Sequence, residues 1–514
     1  MPKLSDFVNP LAGSQGFGSP TAGAAIASGA LVAIAADGFA YQCGTSDYAA
    51  VPNQGNSLFS STSLTNNAPK YNFPNNPGIL LDTSGNVYVL INAGTNTSSG
   101  EIVKYSPAGA FLGSCSSGAA ATAIMSKMFF MSNGNICCMY GTGSTQQSVF
   151  IVNPTTMTAV VNGANLPIHS SSSCFDACPL SGGGFAAIQM VNGTQIQLQI
   201  QDAANNAVHT SAAWNTLGGS TTDGYLLAQL STGNILVVDY IPLSNGAVQV
   251  SVYDLTGAQI VAPTTLTGLG VGALSGANNG PVAVSVLPGY FCLSVYNNPN
   301  LKTAVYSNAC ALQGSVDTQA LTTNAMPLLV NDGTAFWYAT NASSLLSISK
   351  ITTAGAVTSY GTTATFTGIG AIDIDAGGNI YVFNITLGTI TTFSTTLAQQ
   401  IVTTGALSLG FTPSQPTFAG IKAVGDMAVA FSGSTIPGTG AFLNAFKAAD
   451  ASIIGVSVTS AAKGSPVTCA TGVGVQSITK LKGTLSKSFT MKTGADIYGN
   501  NGAIVGGLVS LVGM

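Results

Sequence analysis

The chain has 514 residues and a formal net charge of -4, and only 6% of its residues are charged, against about a quarter in ordinary soluble domains. All 13 basic residues are Lys and Glu101 is the sole Glu, so the chain has neither the cationic footprint nor the bidentate Arg contacts of a nucleic-acid reader. Its polar surface must come from Ser, Thr, Asn and Gln, and it lacks the net charge that keeps free copies apart, which predicts work in multiple copies beside other partners.

Residues 1–77 stand outside the pattern that follows. No apolar leader run comes close behind Lys3, so no secretory signal is expected. The small-residue run 22–36 holds Ser28 and is too short to span a bilayer, so it reads as a strand. Gly38 imitates the corners described below, but 53–77 is rich in Asn, Ser and Pro and poor in alternation. The segment is either an imperfect first blade or an attachment segment whose strand completes the last blade, and attachment is the reading adopted.

The organising stretch is 78–113. An apolar run ends in a polar corner at 82–86, an alternating strand follows at 87–90, and a second strand at 102–105 is closed by a turn at 106–109. Gly and Asn supply the left-handed backbone that such turns demand, while Val, Tyr and Ile suit a pleated surface. The corner recurs at Asn86, Asn135, Gly184, Asn234, Gly289, Gly333, Asn379 and Asp426, at steps of 49, 49, 50, 55, 44, 46 and 47 residues. Steps of about 40 to 50 residues holding four short strands each indicate propeller blades. The expectation is an all-β chain: a β-propeller of seven or eight four-stranded blades over 78–461, with irregular N- and C-terminal β segments at 1–77 and 462–514.

Within this body Gln195, Gln197 and Gln199 alternate with Ile196, Leu198 and Ile200, which puts amides on one sheet face and aliphatics on the other. The last blade, 421–446, is the least regular. Beyond it, Lys480, Lys482, Lys487 and Lys492 fall among Ile478, Leu481, Leu485, Phe489 and Met491. That pattern reads as an arm packing on a neighbouring chain or as a Lys-guarded edge strand. The apolar run 502–513 is too short for a membrane span.

Reactive chemistry has little to stand on. His169 and His209 lie in polar, loop-like stretches without Cys or acidic partners at ligand spacing. Nine cysteines, an odd number scattered over a long chain, read as core thiols rather than as a disulfide framework. Cys137 and Cys138 are adjacent, so in a strand they face opposite ways and cannot share a metal. Cys174 and Cys178 have a zinc-like interval but no second pair. Asp373 and Asp375 before 377–379 resemble part of a calcium loop without its acidic ladder, and Asp82 and Asp332 before other corners identify such residues as turn chemistry. Trp214 and Trp337 would serve sugar stacking if they met at a channel mouth. Asn96, Asn192, Asn341 and Asn384 begin triplets expected by chance in so Asn-, Ser- and Thr-rich a chain. No catalytic, cofactor-binding or metal residue is assigned, and no cofactor is expected.

Residues 81–89 with 102–110, and again 374–382, resemble NHL-type propeller repeats, departing from them where those repeats carry Arg and other charges. The whole-chain style of Gly, Ser, Thr, Asn and Ala before and within a repeat body resembles virion proteins of tailed bacteriophages, such as tail fibres, collar fibres and decorations. That resemblance implies a non-enzymatic structural component of the virion, docking on other virion proteins through 1–77 and 462–514, with host-surface glycan as a further contact and no membrane span. The alternative is a carbohydrate-binding or carbohydrate-cleaving propeller of a bacterial surface.

Overall fold

The computed structural model describes the body from 78 to 447 apart from a number of connecting residues, together with short pieces between 22 and 64 and between 452 and 470. Residues 1–21 and 471–514, with the Lys-rich stretch and the run 502–513, lie outside it, as do His169 and Cys174. Among the described residues no helix is long and apolar enough to cross a membrane.

Each corner turns an inner strand back on its neighbour. Gly85, Gly134, Gly183, Gly233, Gly289, Gly333 and Gly378 occupy the left-handed region there, with φ between 77° and 107°, where a Cβ would be strained. The alternating residues that follow give each sheet two apolar faces, and each face packs on an adjacent blade. In the second blade Cys137, Met139, Val149 and Ile151 pack against the third. Their sequence neighbours Ile136, Cys138, Phe150 and Val152 pack against the first. The adjacent cysteines therefore do face opposite ways.

The inner strands are Ile79–Leu81, Ala123–Phe130, Ala177–Pro179, Gly224–Gln229, Val282–Leu287, Leu328–Asn331, Gly370–Ile374 and Thr417–Val424. Each lies against the next, and the last lies against the first. Among the described residues, then, eight antiparallel sheets close into one ring, a β-propeller of eight blades. Asn86, Asn135, Gly184, Asn234, Gly289 and Gly333 fall between the first and second strands of their blades, Asn379 opens the second strand of the seventh, and Asp426 lies outside the described residues.

Closure uses the N-terminal segment. Asn56–Leu64 pairs antiparallel with Ala441–Lys447 and becomes the outermost strand of the eighth blade. A ninth sheet is not one of the ring's eight: Leu31–Ile34, inside the run 22–36, pairs with both Ala40–Gln42 and Ser452–Ser457, and Ser452–Ser457 pairs with Cys469–Ala470. The two ends of the chain are thus joined to each other as well as to the propeller.

Candidate functional site

Around the axis of a propeller the inner strands bring side chains of successive blades together, and the two ion pairs of the described residues lie on those strands. Lys127 of the second blade forms an ion pair with Asp176 of the third, with side chains 13% and 7% exposed. The other oxygen of Asp176, Oδ2, accepts the Leu227 N–H of the fourth blade at 2.8 Å. Across the seventh and eighth blades the plan recurs: Asp373 accepts the Ala423 N–H at 2.7 Å and pairs with Lys422 Nζ at 3.3 Å. Between the fifth and sixth, Asn331 Nδ2 donates to Ser285 Oγ at 2.8 Å. Each carboxylate has both oxygens engaged, so the arrangement stitches neighbouring inner strands.

Asp373 therefore departs from the turn role expected of it. It lies within Gly370–Ile374 and bonds the next blade, whereas Asp375 lies past the strand end and does serve the corner. The signal for these stitches was present in the sequence. Lys127 and Asp176, and likewise Asp373 and Lys422, are opposite charges one repeat apart on inner strands, and a repeat step places them side by side.

The corner carboxylates form a second group. Asp82 Oδ1 accepts the Ser84 and Asn86 N–H groups, each at 2.9 Å, and Oδ2 accepts Asn86 Nδ2 at 2.8 Å and Tyr88 Oη at 3.0 Å. Asp375 repeats this with Asn379 and Tyr381. Asp332 substitutes Trp337 Nε1, at 2.7 Å, for the phenol. Burial alone would raise the Asp82 and Asp332 carboxyls, but the hydrogen bonds from Asn86, Tyr88 and Ser84 in one, and from Trp337, Thr334 and Ala335 in the other, outweigh it and hold both below the usual carboxylate range. A cation caps the aromatic in each case: Lys104 Nζ lies 5.3 Å from the Tyr88 ring centre and Lys350 Nζ 5.4 Å from that of Trp337.

The six described free thiols, Cys115, Cys137, Cys138, Cys178, Cys292 and Cys310, are buried. Burial pushes Cys178 up to about 12, against the pull of Lys127, and Cys310 up to about 11. Burial raises Cys137, Cys138 and Cys292 as well. Thiolate is the nucleophilic and metal-binding form, so these groups are held in the inert one. No three His, Cys, Asp or Glu side chains among the described residues are placed to hold a metal.

The two tryptophans do not meet. Trp214 stacks on Tyr253, with ring centres 4.9 Å apart, between the third and fourth blades. Trp337 is 1% exposed and packs with Tyr360 and Phe393 between the sixth and seventh. The sugar-stacking mouth that the carbohydrate alternative required is not formed by this pair. His209 lies in an exposed outer strand, Ala207–Thr210, and not in a loop.

Alternation at 195–201 does separate amides from aliphatics, but the amide face is internal. Gln189, Gln199 and Gln201 are buried on the side that meets the second blade. Gln199 and Gln197 both donate to Gln189, and Gln201 Nε2 donates to Gln199 Oε1 at 2.9 Å.

No protein-family model matches the chain, and no curated protein matches it by sequence. Among solved structures it is similar to a catalytically inactive virginiamycin B lyase from Staphylococcus aureus solved with quinupristin, at 11% identity and TM-score 0.40 over 75% of this chain and 98% of that one. It is similar to the Dos1 propeller at 9% identity and TM-score 0.45, over 76% of this chain and 96% of that one. It is also similar to the dihydro-heme d1 dehydrogenase NirN, at 13% identity and TM-score 0.41, over 72% and 73%. None of these likenesses is close enough to carry an activity to this chain.

Proposed function

We propose that the chain is a non-enzymatic structural component of a tailed-bacteriophage particle, a propeller whose sparsely charged surface and joined end segments dock on other virion proteins. The observation that carries the reading is the ninth sheet, in which strands from both ends of the chain pair outside the closed ring. A body already sealed by Asn56–Leu64 does not need that sheet for closure, so it is available as a fixed platform for a neighbour. The scarcity of charge supports the same reading, because contact across such a surface runs through shape and hydrogen bonding. Host-surface glycan contact belongs to the proposal as a further use of the same polar surface.

The experiment is recovery of the chain with particles. In a lysate separated on a density gradient, the protein is expected in the particle band, and removal of residues 1–42 is expected to lower its incorporation by about tenfold or more. A chain found wholly in the soluble fraction, or incorporated equally well without those residues, overturns the reading.

A further inference from the structure

In the third blade the hairpin that joins Phe185–Asn192 to Gln195–Gln201 turns at Asn192, Gly193 and Thr194, all of them exposed. Asn192 Oδ1 accepts two hydrogen bonds from Thr194, one from its N–H at 2.9 Å and one from its Oγ1 at 3.1 Å. Asn192 Nδ2 donates to Gln195 Oε1 at 2.8 Å, and Gln195 Nε2 donates in turn to Asn215 Oδ1 at 3.3 Å. The ring that the Thr194 N–H closes contains the Gly193 nitrogen. This Asx turn therefore holds the Asn192 side-chain carbonyl beside the backbone nitrogen that follows it.

The state of that nitrogen separates this Asn-Gly pair from others. Gly134, which follows Asn133, donates its N–H to the Met131 carbonyl at 2.9 Å, and Gly246, which follows Asn245, donates to the Val271 carbonyl at 2.9 Å. The Gly193 N–H has no acceptor among the described residues, and the space that a Cβ would fill there is open to 4 Å. The carbonyls differ too. Asn133 Oδ1 accepts the Asn135 N–H at 3.0 Å without the hydroxyl that Thr194 adds at Asn192.

We propose that Asn192 with Gly193 is a self-modifying site, at which the Gly193 nitrogen displaces ammonia from the Asn192 side chain. Hydroxide removes the Gly193 N–H proton, and the nitrogen attacks Cγ, forming a C–N bond and an oxyanion at Oδ1. The Thr194 N–H and hydroxyl already point at that oxygen. Nδ2 takes a proton from water and leaves as ammonia, which closes a succinimide ring with no change of oxidation state. Water then opens the ring at either carbonyl, leaving an aspartate or its β-linked isomer, so one water is consumed for each ammonia released. The new carboxylate accepts and cannot donate, so the bond to Gln195 Oε1 is lost. With it goes the restraint that runs through Gln195 to Asn215, where Trp214–Asn215 pairs with this strand. The inference is independent of the virion reading.

Peptide mapping of the full chain by mass spectrometry, sampled over weeks in buffer, tests it. The peptide carrying Asn192 is expected to gain one mass unit, to take up one heavy oxygen in heavy-oxygen water, and to convert about tenfold faster per pH unit between about pH 7 and 9. Asn133 in the same sample should convert about tenfold more slowly or less, since its Gly134 N–H must first leave a backbone hydrogen bond. Thr194→Val removes the hydroxyl and should slow Asn192 about 3- to 10-fold, while Thr194→Ser holds the rate within about twofold of wild type. The position is exposed, and an unchanged thermal midpoint verifies that the hairpin is intact. If Thr194→Val unfolds it, the comparison with Asn133 in the unaltered chain decides alone. Asn192→Asp carries the product's charge and should speed hydrogen exchange at 214–216 about threefold or more; unchanged exchange there overturns the coupling to Asn215. Conversion at Asn133 as fast as at Asn192, a Thr194→Val rate equal to wild type, or a rate indifferent to pH each overturns the site itself.

Discussion

The buried carboxylate at a corner is the residue on which a blade hinges. Asp375 accepts three hydrogen bonds from Asn379 and Tyr381 while 6% exposed. Asp375→Ala strands those donors and is expected to cost about 2–4 kcal/mol, read as a lower urea midpoint. The corner and turn acids also set the pH response. The Asn206 side chain first, with its backbone N–H, lowers Asp202; the Thr256 side chain first lowers Asp254; Asp82 and Asp332 are lowered as described above. A carboxyl depressed in the folded state stabilises above its unfolded value and loses that contribution as pH falls through the folded one. The thermal midpoint should therefore be flat from about pH 7 to 5 and decline below about pH 4; a midpoint that rises on acidification would contradict this. The corner roles of Asp82, Asp332 and Asp375 were legible in the sequence because their partners lie within six positions. The role of Asp373 left no local signal, because its partner N–H is 50 positions away, and only the repeat step that sets it opposite Lys422 announces the contact.

At the scale of the element, the corner glycines divide into two kinds. A Cβ on Gly134 would meet nothing within 4 Å, so Gly134→Ala bears only the strain of φ +85°, about 1–2 kcal/mol. A Cβ on Gly184 would stand 1.9 Å from the Gln201 carbonyl oxygen and 3.0 Å from its carbon. Backbone cannot rotate aside there, and Gly184→Ala should destabilise by about 3 kcal/mol or more. Thermal unfolding of the two variants side by side checks the order, and equal losses would refute it. Glycines also lock blade to blade at the rim. Gly314 approaches Ala354 and Gly355 of the next blade, and Gly257 approaches Ser211 of the previous one. Strand positions were readable from local alternation and turn chemistry. The outer strands were harder: Ala207–Thr210 is four residues long and exposed at every position, so it carries no buried face for a pattern to mark.

For the whole molecule, closure is the feature that local pattern could not decide. Asn56–Leu64 reads NSLFSSTSL, without the alternation that would announce a strand, and its partner lies at the far end of the body. Removal of residues 1–55 keeps this strand, while removal of 1–64 leaves Ala441–Lys447 with a bare edge. The longer truncation is expected to lower the thermal midpoint by about 5–10 °C beyond the shorter one, with proteolysis beginning in the eighth blade. A peptide of residues 56–64 added in trans should restore part of the loss, and indistinguishable truncations would show that the ring closes by other means.

That seam also dictates the order of events during synthesis. Leu64 and Ala441 pair across 377 positions, and at about 5–20 residues per second a ribosome takes roughly 20–80 s to supply the second after the first. The strand made early must wait, unpaired, through the birth of seven blades, and nascent chains halted anywhere before 441 carry it without its mate. Such chains are the ones a holding chaperone should be found gripping, and the gripped site should include residues 56–64.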